Sequence, residues 1–282
     1  MKNKAKNIMI QGTSSSAGKS LFVTGLCRLF AKKGWNIAPF KSQNMTRNAI
    51  ILENNKKIAA SQLIQAEAAN IKANEYMNPI LLIPNSDTGS RLVINGREDD
   101  ELEAKKYHEE KKRLAPIVLE AYNRLEKERD LIIIEGAGSP AEINLREDDF
   151  VNMGLANMVD SSVILIADIE RGGVFASIYG TVKILDDFDS NRIKAFIINK
   201  FRGDRNILKP GIDELERRLN IPCLGVLPYV EFDIEEEDSL FSGKKGKRIE
   251  DKSRREREYD RLAEFINSNI DIEKLMNIIG VG

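Results

Sequence analysis

The chain has 282 residues, of which 42% are hydrophobic, so it can form one large domain or two smaller ones with buried cores. Its 43 basic and 44 acidic residues nearly cancel, which argues against a surface that binds nucleic acid or a membrane through charge. No apolar run is long enough to predict a transmembrane helix, and residues 1–6 do not have the pattern of a signal peptide.

Short apolar runs alternate with longer segments of helical periodicity, which is typical of a parallel sheet covered by helices. Strands are predicted at residues 7–11, 35–40, 80–83, 91–94, 131–135, 162–168, 194–199 and 223–227. Helices are predicted at residues 19–33, 57–73, 108–128, 173–185 and 210–219. The alternation predicts an α/β domain over residues 1–232, with a parallel sheet and helices on both of its faces.

The end of the chain has a different composition. Residues 233–256 are predicted to be a charged linker, because their acidic and basic runs cannot form a packed core. Apolar residues return at mostly helical spacing from Tyr259 onward, which predicts a short helical tail over residues 257–282.

A glycine-rich segment lies between the first predicted strand and the first predicted helix, as in a P-loop. Its predicted phosphate-binding residues are Gly12, Thr13, Ser14, Ser15, Ser16, Ala17, Gly18, Lys19 and Ser20. Five residues separate Gly12 from Gly18, one more than in the common motif. A plain strand-to-helix turn is the alternative, but Gly-Lys-Ser at the start of a helix favours a P-loop with Mg²⁺ on the Ser20 hydroxyl.

An acid, Glu135, ends the buried strand at residues 131–135 and precedes a glycine turn. A carboxylate at this place can hold Mg²⁺ or its water shell opposite the P-loop. The alternative is an acid that only caps the following turn. We therefore predict that Ser20 and Glu135 form the metal site.

Asn199 ends a later strand and begins the sequence Asn-Lys-Phe-Arg. Its amide could bind a base edge, although an asparagine that forms a turn is an equally simple explanation. Arg202 stands where the guanine-binding Asn-Lys-x-Asp motif has its aspartate, so ATP is favoured over GTP.

Several cations follow predicted strands on the edge of the sheet that carries the P-loop. They are Lys19, Lys41, Arg171, Lys200 and Arg202. Ligands of open parallel sheets bind at the carboxyl ends of the strands, and this set exceeds the positive charge that a nucleotide requires. We therefore expect an anionic second substrate, although a solvated surface role is as simple for any one of these residues.

A protein nucleophile is not expected. His108, the single histidine, begins a charged helix, and no Ser/His/Asp or Cys/His arrangement can be composed around it. Cys27 and Cys223 lie in apolar segments and form neither a disulfide framework nor a zinc spacing, which favours a reducing, cytoplasmic location.

Eight blocks in the same order resemble the cobyric acid synthase family, over residues 7 to about 240. They are residues 11–20, 39–45, 77–79, 84–89, 135–146, 152–154, 168–175 and 199–204. The resemblance implies a fold like that of dethiobiotin synthetase. It also implies ATP-dependent amidation of peripheral carboxylates of adenosylcobyrinic acid a,c-diamide, which gives adenosylcobyric acid in cobalamin biosynthesis.

The resemblance implies roles for individual residues. Lys19, Ser20 and Glu135 would serve ATP and Mg²⁺, and Asn199 would face adenine. Lys41 would bridge the γ-phosphate and the substrate carboxylate before ammonia attacks an acyl phosphate. The implied catalytic residues are thus Lys41, Lys19 and Glu135. The implied residues for the corrinoid polycarboxylate are Gln43, Asn44, Arg171 and Arg202.

Two departures from the family pattern are visible. Residues 56–62 read Lys-Lys-Ile-Ala-Ala-Ser-Gln where the family usually has Gly-Glu-Ile-Gly before Ala-Gln, so a metal or substrate role of that stretch is in doubt. The Gly-x-Cys-x-Gly elbow and late histidine of the family's glutaminase domain are also absent. The chain is therefore expected to use free ammonia or ammonia from a separate glutaminase chain.

Other functions remain open at this point. The sister ligase cobyrinic acid a,c-diamide synthase and dethiobiotin synthetase are disfavoured by the blocks at residues 168–175 and 199–204. A partner-dependent ATPase of the partitioning type usually has another lysine early in its P-loop, where this chain has Thr13 and Ser14. An inactive remnant is the fourth possibility, since fold does not determine function.

Overall fold

The computed structural model describes residues 4–84, 90–103, 107–235 and 251–281. Residues 85–89 of one family-like block, residues 236–250 of the predicted linker and the side chain of His108 lie outside the described part. Among the described residues, no helix is both long and apolar enough to cross a membrane.

The described strands confirm the alternating pattern. They are β1 Lys6–Gly12, β2 Ile37–Phe40, β3 Gln43–Met45, β4 Ala49–Ile51, β5 Lys57–Ala59, β6 Ile80–Pro84, β7 Ser90–Ile94, β8 Arg97–Glu103, β9 Leu131–Glu135, β10 Val163–Asp168, β11 Ile193–Phe201 and β12 Cys223–Pro228. The helices are α1 Lys19–Lys32, α2 Ala60–Ala68, α3 Tyr107–Glu128, α4 Met153–Met158, α5 Val174–Ile184, α6 Asp187–Ser190, α7 Lys209–Leu219, α8 Lys252–Asn269 and α9 Ile272–Ile279.

The main sheet has six strands in the order β12-β11-β10-β1-β9-β2, all of them parallel. Both faces are covered, as β9 illustrates. Ile132 and Ile134 pack in one core with α3, whereas Leu131 and Ile133 pack in the other with α1 and α8. Side chains alternate across a strand, so a continuous apolar run feeds both layers. The fold is the predicted P-loop α/β architecture.

The region between β2 and α3 was only partly predicted. The strands β3, β6, β7 and β8 form a second sheet, and β4 pairs with β5 in a hairpin. The helix predicted at residues 57–73 begins only at Ala60, because residues 57–59 pair with β4. Such pairing between distant segments leaves no helical or strand periodicity in three residues.

The helical tail is predicted correctly, but its start is not. Helix α8 begins at Lys252, inside the predicted linker, and Asp251 accepts hydrogen bonds from the first-turn amides of Ser253 and Arg254. Charged residues here form the outer face of a helix, so the charge run predicted the exposure but not the conformation. The division of the chain at residues 232 and 256 stays a prediction.

Helices α8 and α1 pack closely because α1 carries a glycine at the contact. A Cβ atom on Gly25 would lie 2.3 Å from Ile266 Cδ1 and 2.9 Å from Leu262 Cγ. Arg28 of α1 is buried and binds Glu256 at 2.8 Å and Asp260 at 2.8 Å. The helix that carries the P-loop is therefore fixed from behind by the end of the described chain.

Candidate active site

The P-loop conformation depends on glycine at two positions. Gly18 has a φ of 98°, and a Cβ atom there would lie 2.2 Å from Asn199 Nδ2. A Cβ atom on Gly12 would lie 2.7 Å from Ser14 O and 2.9 Å from Lys19 Nζ. Any larger residue would displace the loop, so the backbone amides at the start of α1 depend on these two glycines.

The ammonium of Lys19 is buried beside the loop. Its Nζ donates to Ser14 O at 3.1 Å and to Gly138 O at 3.1 Å, and the residue is 6% exposed. Gly138 belongs to the turn after β9, so this lysine joins the P-loop to the neighbouring strand end. The position agrees with a phosphate-binding lysine.

Glu135 lies at the centre of a buried polar group. Its Oε1 accepts hydrogen bonds from Ser20 Oγ at 2.7 Å and from Lys41 Nζ at 2.8 Å. Its Oε2 accepts a bond from Gln65 Nε2 at 2.6 Å. Strands β2 and β9 are neighbours in the sheet, so Lys41 and Glu135 emerge side by side at the same edge. The alternative that Glu135 merely caps a turn does not describe these contacts.

The charge of Glu135 follows from these neighbours. Burial by itself raises the pKa of the carboxyl group, but the Lys41 ammonium and the hydrogen bonds from Lys41, Ser20 and Gln65 outweigh it. The net effect is a pKa below the ordinary value. Glu135 is therefore a carboxylate at neutral pH.

The pair of Ser20 and Glu135 fits a divalent cation that also binds phosphates. A hydroxyl and a carboxylate oxygen 2.7 Å apart are near the separation of about 3 Å between adjacent oxygen ligands of Mg²⁺. In the described part of the chain, no group of three or more His, Cys, Asp or Glu could hold a metal ion. This scarcity of protein ligands is usual for Mg²⁺ bound together with a nucleotide.

A chain of buried amides extends from Glu135 to β3. Gln65 Oε1 lies 3.5 Å from Gln62 Nε2, and Gln62 Oε1 accepts a hydrogen bond from Asn44 Nδ2 at 3.0 Å. Asn44 also donates to Ser61 Oγ at 3.1 Å. Residues 61–62 of the stretch in doubt thus support the site through hydrogen bonds.

A cavity of about 420 Å³, the Gly138 cavity, opens beside this group. It is lined by Gln43, Met45, Lys111, Ala137, Gly138, Ser139, Pro140, Glu142, Leu145, Arg146, Asp149, Val151, Asn152, Met153, Leu185 and Asp189. Asn152 holds its wall, because its side chain donates to Ala137 O at 2.6 Å and accepts from Ala137 N at 3.2 Å. The family-like blocks after β9 therefore shape a cavity next to the P-loop.

A second cavity of about 430 Å³, the Tyr229 cavity, lies on the other side of the P-loop. It is lined by Ser16, Gly18, Ser20, Leu21, Glu170, Asn199, Lys200, Pro228, Tyr229, Val230, Glu231, Phe232 and Phe265. The Asn199 amide donates to Ala17 O at 2.9 Å and accepts from Lys200 N at 2.9 Å. Asn199 therefore holds the P-loop, and its contact with adenine stays a prediction.

The predicted substrate residues are not all brought together. Gln43 lines the Gly138 cavity, but Asn44 points the opposite way from β3 and is buried against Ser61 and Gln62. Strand alternation explains this difference, which the missed strand concealed. Asn44 is thus placed to support the site from behind rather than to line this cavity.

The five predicted cations are also dispersed. Lys200 Nζ donates to Ser16 O at 2.7 Å and to Asp168 at 2.9 Å. Arg202 stacks over Tyr229, with its guanidinium carbon 3.5 Å from the ring centroid, and Arg171 is exposed in the loop before α5. A common sheet edge was not enough to predict one cluster, because each of these side chains follows its own loop.

The site contains residues that the sequence analysis missed. Gln65 follows Gln62 by three residues on α2, a spacing that places both on one helix face and could have signalled a joint role. Tyr229, Phe232 and Phe265 come from a strand end and from α8, and no local motif links them. Their convergence depends on the docking of α8.

Neither cysteine has the properties of an activated nucleophile. Burial, with a smaller effect of the Glu135 charge, raises the pKa of the Cys27 thiol far above its usual range. Burial also raises the pKa of Cys223 to about 11. Both thiols are protonated at neutral pH, which agrees with the expectation that the protein uses no side-chain nucleophile.

Comparison with known proteins gives a family for this arrangement. Residues 8–240 match the model of the CobQ/CobB/MinD/ParA nucleotide binding domain. The chain belongs to this family. A cobyric acid synthase of Lachnoclostridium phytofermentans is 53% identical over 253 residues, which are 87% of this chain and 49% of that protein. One from Clostridium acetobutylicum is 52% identical over 231 residues, which are 82% of this chain and 47% of that protein.

The chain spans about half the length of the curated relatives it matches. Among solved structures, the signal recognition particle receptor FtsY of Elizabethkingia anophelis is similar with a TM-score of 0.47 and 13% identity. That likeness covers 82% of this chain and 61% of FtsY. For this member of the family, the P-loop and the sheet support nucleotide binding, whereas its reaction must be inferred from the site.

Proposed function

We propose that the chain is an ATP-dependent carbon–nitrogen ligase that amidates peripheral carboxylates of a corrinoid, adenosylcobyrinic acid a,c-diamide. The observation that carries the proposal is the contact of Lys41 and Ser20 with one oxygen of Glu135, next to the P-loop lysine Lys19. The similarity to proteins named cobyric acid synthase supports the choice of substrate.

The proposed reaction has two steps. A carboxylate oxygen of the substrate attacks the γ-phosphorus of ATP, ADP leaves, and an acyl phosphate forms. The nitrogen of ammonia then attacks the acyl carbon, inorganic phosphate leaves, and a proton is lost to give the amide. Such phosphoryl transfer requires positioning and charge stabilisation rather than a protein nucleophile.

The charged residues have distinct parts in this proposal. Lys19 and the amides at the start of α1 bind the phosphates, and Lys41 brings its ammonium to the place where phosphate and carboxylate meet. Ser20 and Glu135 are the residues that would hold Mg²⁺, which neutralises phosphate charge when bound. Glu135 also keeps Lys41 in place through the 2.8 Å contact in the free protein.

The Tyr229 cavity is the proposed site of the adenine base. It adjoins Ser16 and Gly18 of the P-loop, and it offers the aromatic side chains of Phe232 and Phe265. Such side chains stack on bases. Asn199 lines this cavity, and its hold on Ala17 O couples the base site to the phosphate loop.

The nitrogen is proposed to come from free ammonia or from a separate glutaminase chain. The only cysteines, Cys27 and Cys223, are both free thiols with raised pKa values, so neither is suited to attack glutamine. Two free thiols also support a reducing, cytoplasmic location.

Isotope transfer tests the proposed chemistry. Substrate labelled with ¹⁸O in its carboxylates is incubated with ATP, Mg²⁺ and ammonium, and the released phosphate is analysed by mass spectrometry. An acyl phosphate transfers one labelled oxygen to each phosphate for every amide formed. Unlabelled phosphate released together with the amide would contradict the proposed intermediate.

A further inference from the structure

Lys111 of α3 lines the Gly138 cavity and is 9% exposed. Within the described part of the chain, its ammonium makes no hydrogen bond or salt bridge. A buried ammonium without an acceptor is costly, and the cost is relieved when an anion binds. The lysine is not needed for the network of Lys19, Lys41 and Glu135, because none of these residues contacts it.

The acids that line the same cavity each have donors of their own. Asp149 accepts hydrogen bonds from the backbone amides of Val151, Asn152 and Gly154. Asp189 lies 2.7 Å from Arg146 and accepts a bond from Asn157, and Glu142 accepts one from Ser139 N at 3.2 Å. Local donors thus hold the carboxylates, whereas Lys111 is left with a free capacity to donate.

The rim of the cavity is apolar. Met45 is 49% exposed and Leu145 is 41% exposed, which is unusual for large hydrophobic side chains unless they contact a ligand or partner. The cavity volume of about 420 Å³ is enough for part of a large ligand rather than for a whole macrocycle. Apolar walls around one buried cation fit an apolar body that carries a carboxylate.

We infer that Lys111 binds a carboxylate of the substrate other than the one that reacts, while the body of the substrate lies against Met45 and Leu145. The inference rests on the proposed function, in which the reacting carboxylate is at Lys41. It gives a reason for the selection of substrates with several carboxylates: one is anchored at Lys111 while another is activated at the P-loop.

The test compares wild type with Lys111→Met, Lys111→Arg and Lys112→Met. Lys112 is the matched control, because it is the next residue of α3 but its side chain is 76% exposed and lies 4.0 Å from Asp148. Equilibrium dialysis measures binding of adenosylcobyrinic acid a,c-diamide. Titration calorimetry measures binding of propane-1,2,3-tricarboxylate, a simple probe that does not depend on the corrin.

Lys111→Met is expected to weaken binding of both probes about tenfold or more, because a charge-assisted hydrogen bond is lost. Lys112→Met should change it less than about twofold, and Lys111→Arg should retain part of it. Binding of the tricarboxylate that depends on Lys111, without any corrinoid binding to wild type, would uphold this inference and contradict the proposed function. Equal binding by wild type and Lys111→Met would overturn the inference.

Stability provides a second readout. Methionine keeps the apolar stem and removes the unpaired charge, so Lys111→Met should leave the thermal midpoint of the free protein unchanged or raise it. A midpoint lowered by several degrees would mean that the ammonium has an acceptor in the free protein, and it would overturn the inference even if binding weakened.

Discussion

Lys41 Nζ lies 2.8 Å from Glu135 Oε1, and both groups are buried. The two residues end neighbouring parallel strands, so their pairing is a direct result of the β2–β9 register. The pair places a cation and a carboxylate where the P-loop helix begins. Each partner makes the charge of the other tolerable in the interior, and each is also needed in the proposed chemistry.

Removal of the cation should make Glu135 harder to ionise. In Lys41→Met, the pKa of Glu135 should rise, because burial is no longer opposed by the ammonium. A carboxyl with a lowered pKa in the folded protein stabilises the fold above its unfolded pKa, and this contribution is lost as pH falls through the folded value. The loss should begin at higher pH in Lys41→Met.

The measurement is the free energy of unfolding between about pH 7 and pH 4. At neutral pH we expect Lys41→Met to lose about 3 to 5 kcal/mol, as is typical when one partner of a buried pair is removed. The double variant Lys41→Met with Glu135→Gln should regain much of this. A double variant as unstable as Lys41→Met would contradict the charge explanation.

Gln65 should act as a positioning residue for the metal site. Its amide donates to Glu135 Oε2 at 2.6 Å, so Gln65→Leu leaves that oxygen without its donor. The Mg²⁺ concentration for half-maximal ATP turnover should rise about tenfold or more, as for other residues that orient metal ligands. Gln62→Leu is the control, since its 3.5 Å contact with Gln65 is weak. An unchanged Mg²⁺ dependence in Gln65→Leu would refute this role.

The sequence could predict what is local. The P-loop, the acid at the end of β9 and the six main strands each follow from a short pattern, and Lys41 follows because it comes directly after β2. Gln65 and Lys111 carry no such pattern, because their roles depend on which helix faces lie over the sheet edge. Asn44 was assigned to substrate for the same reason, since the orientation of β3 depends on its pairing with β6.

The contact between α1 and α8 predicts a difference between two glycines in helices. Gly25→Val should destabilise the protein by about 1 to 3 kcal/mol, because the new methyl groups meet Ile266 and Leu262 in a filled core. Gly180→Val is the matched control on α5, where a Cβ atom meets nothing within 4 Å. It should be neutral or slightly stabilising. Urea unfolding measures both, and equal effects would contradict the proposed packing constraint.

The thiols predict the nitrogen source. With glutamine as the only nitrogen donor and contaminating ammonia removed, the purified chain should form no amide, because Cys27 and Cys223 are protonated and buried or half-buried. Addition of a separate glutaminase should restore product formation. Amide formed from glutamine by the pure chain would reveal a nucleophile that the site description lacks.

Direct detection of the amide product tests the central claim. Wild type and Lys19→Met are incubated with adenosylcobyrinic acid a,c-diamide, ATP, Mg²⁺ and ammonium, and products are identified by mass spectrometry. The wild type should form amides with one ADP released for each, and Lys19→Met should be slower by about a hundredfold or more, because a buried phosphate-binding charge is lost. Absence of amide from folded wild-type protein that binds ATP would contradict the account and favour an inactive remnant or a partner-dependent ATPase.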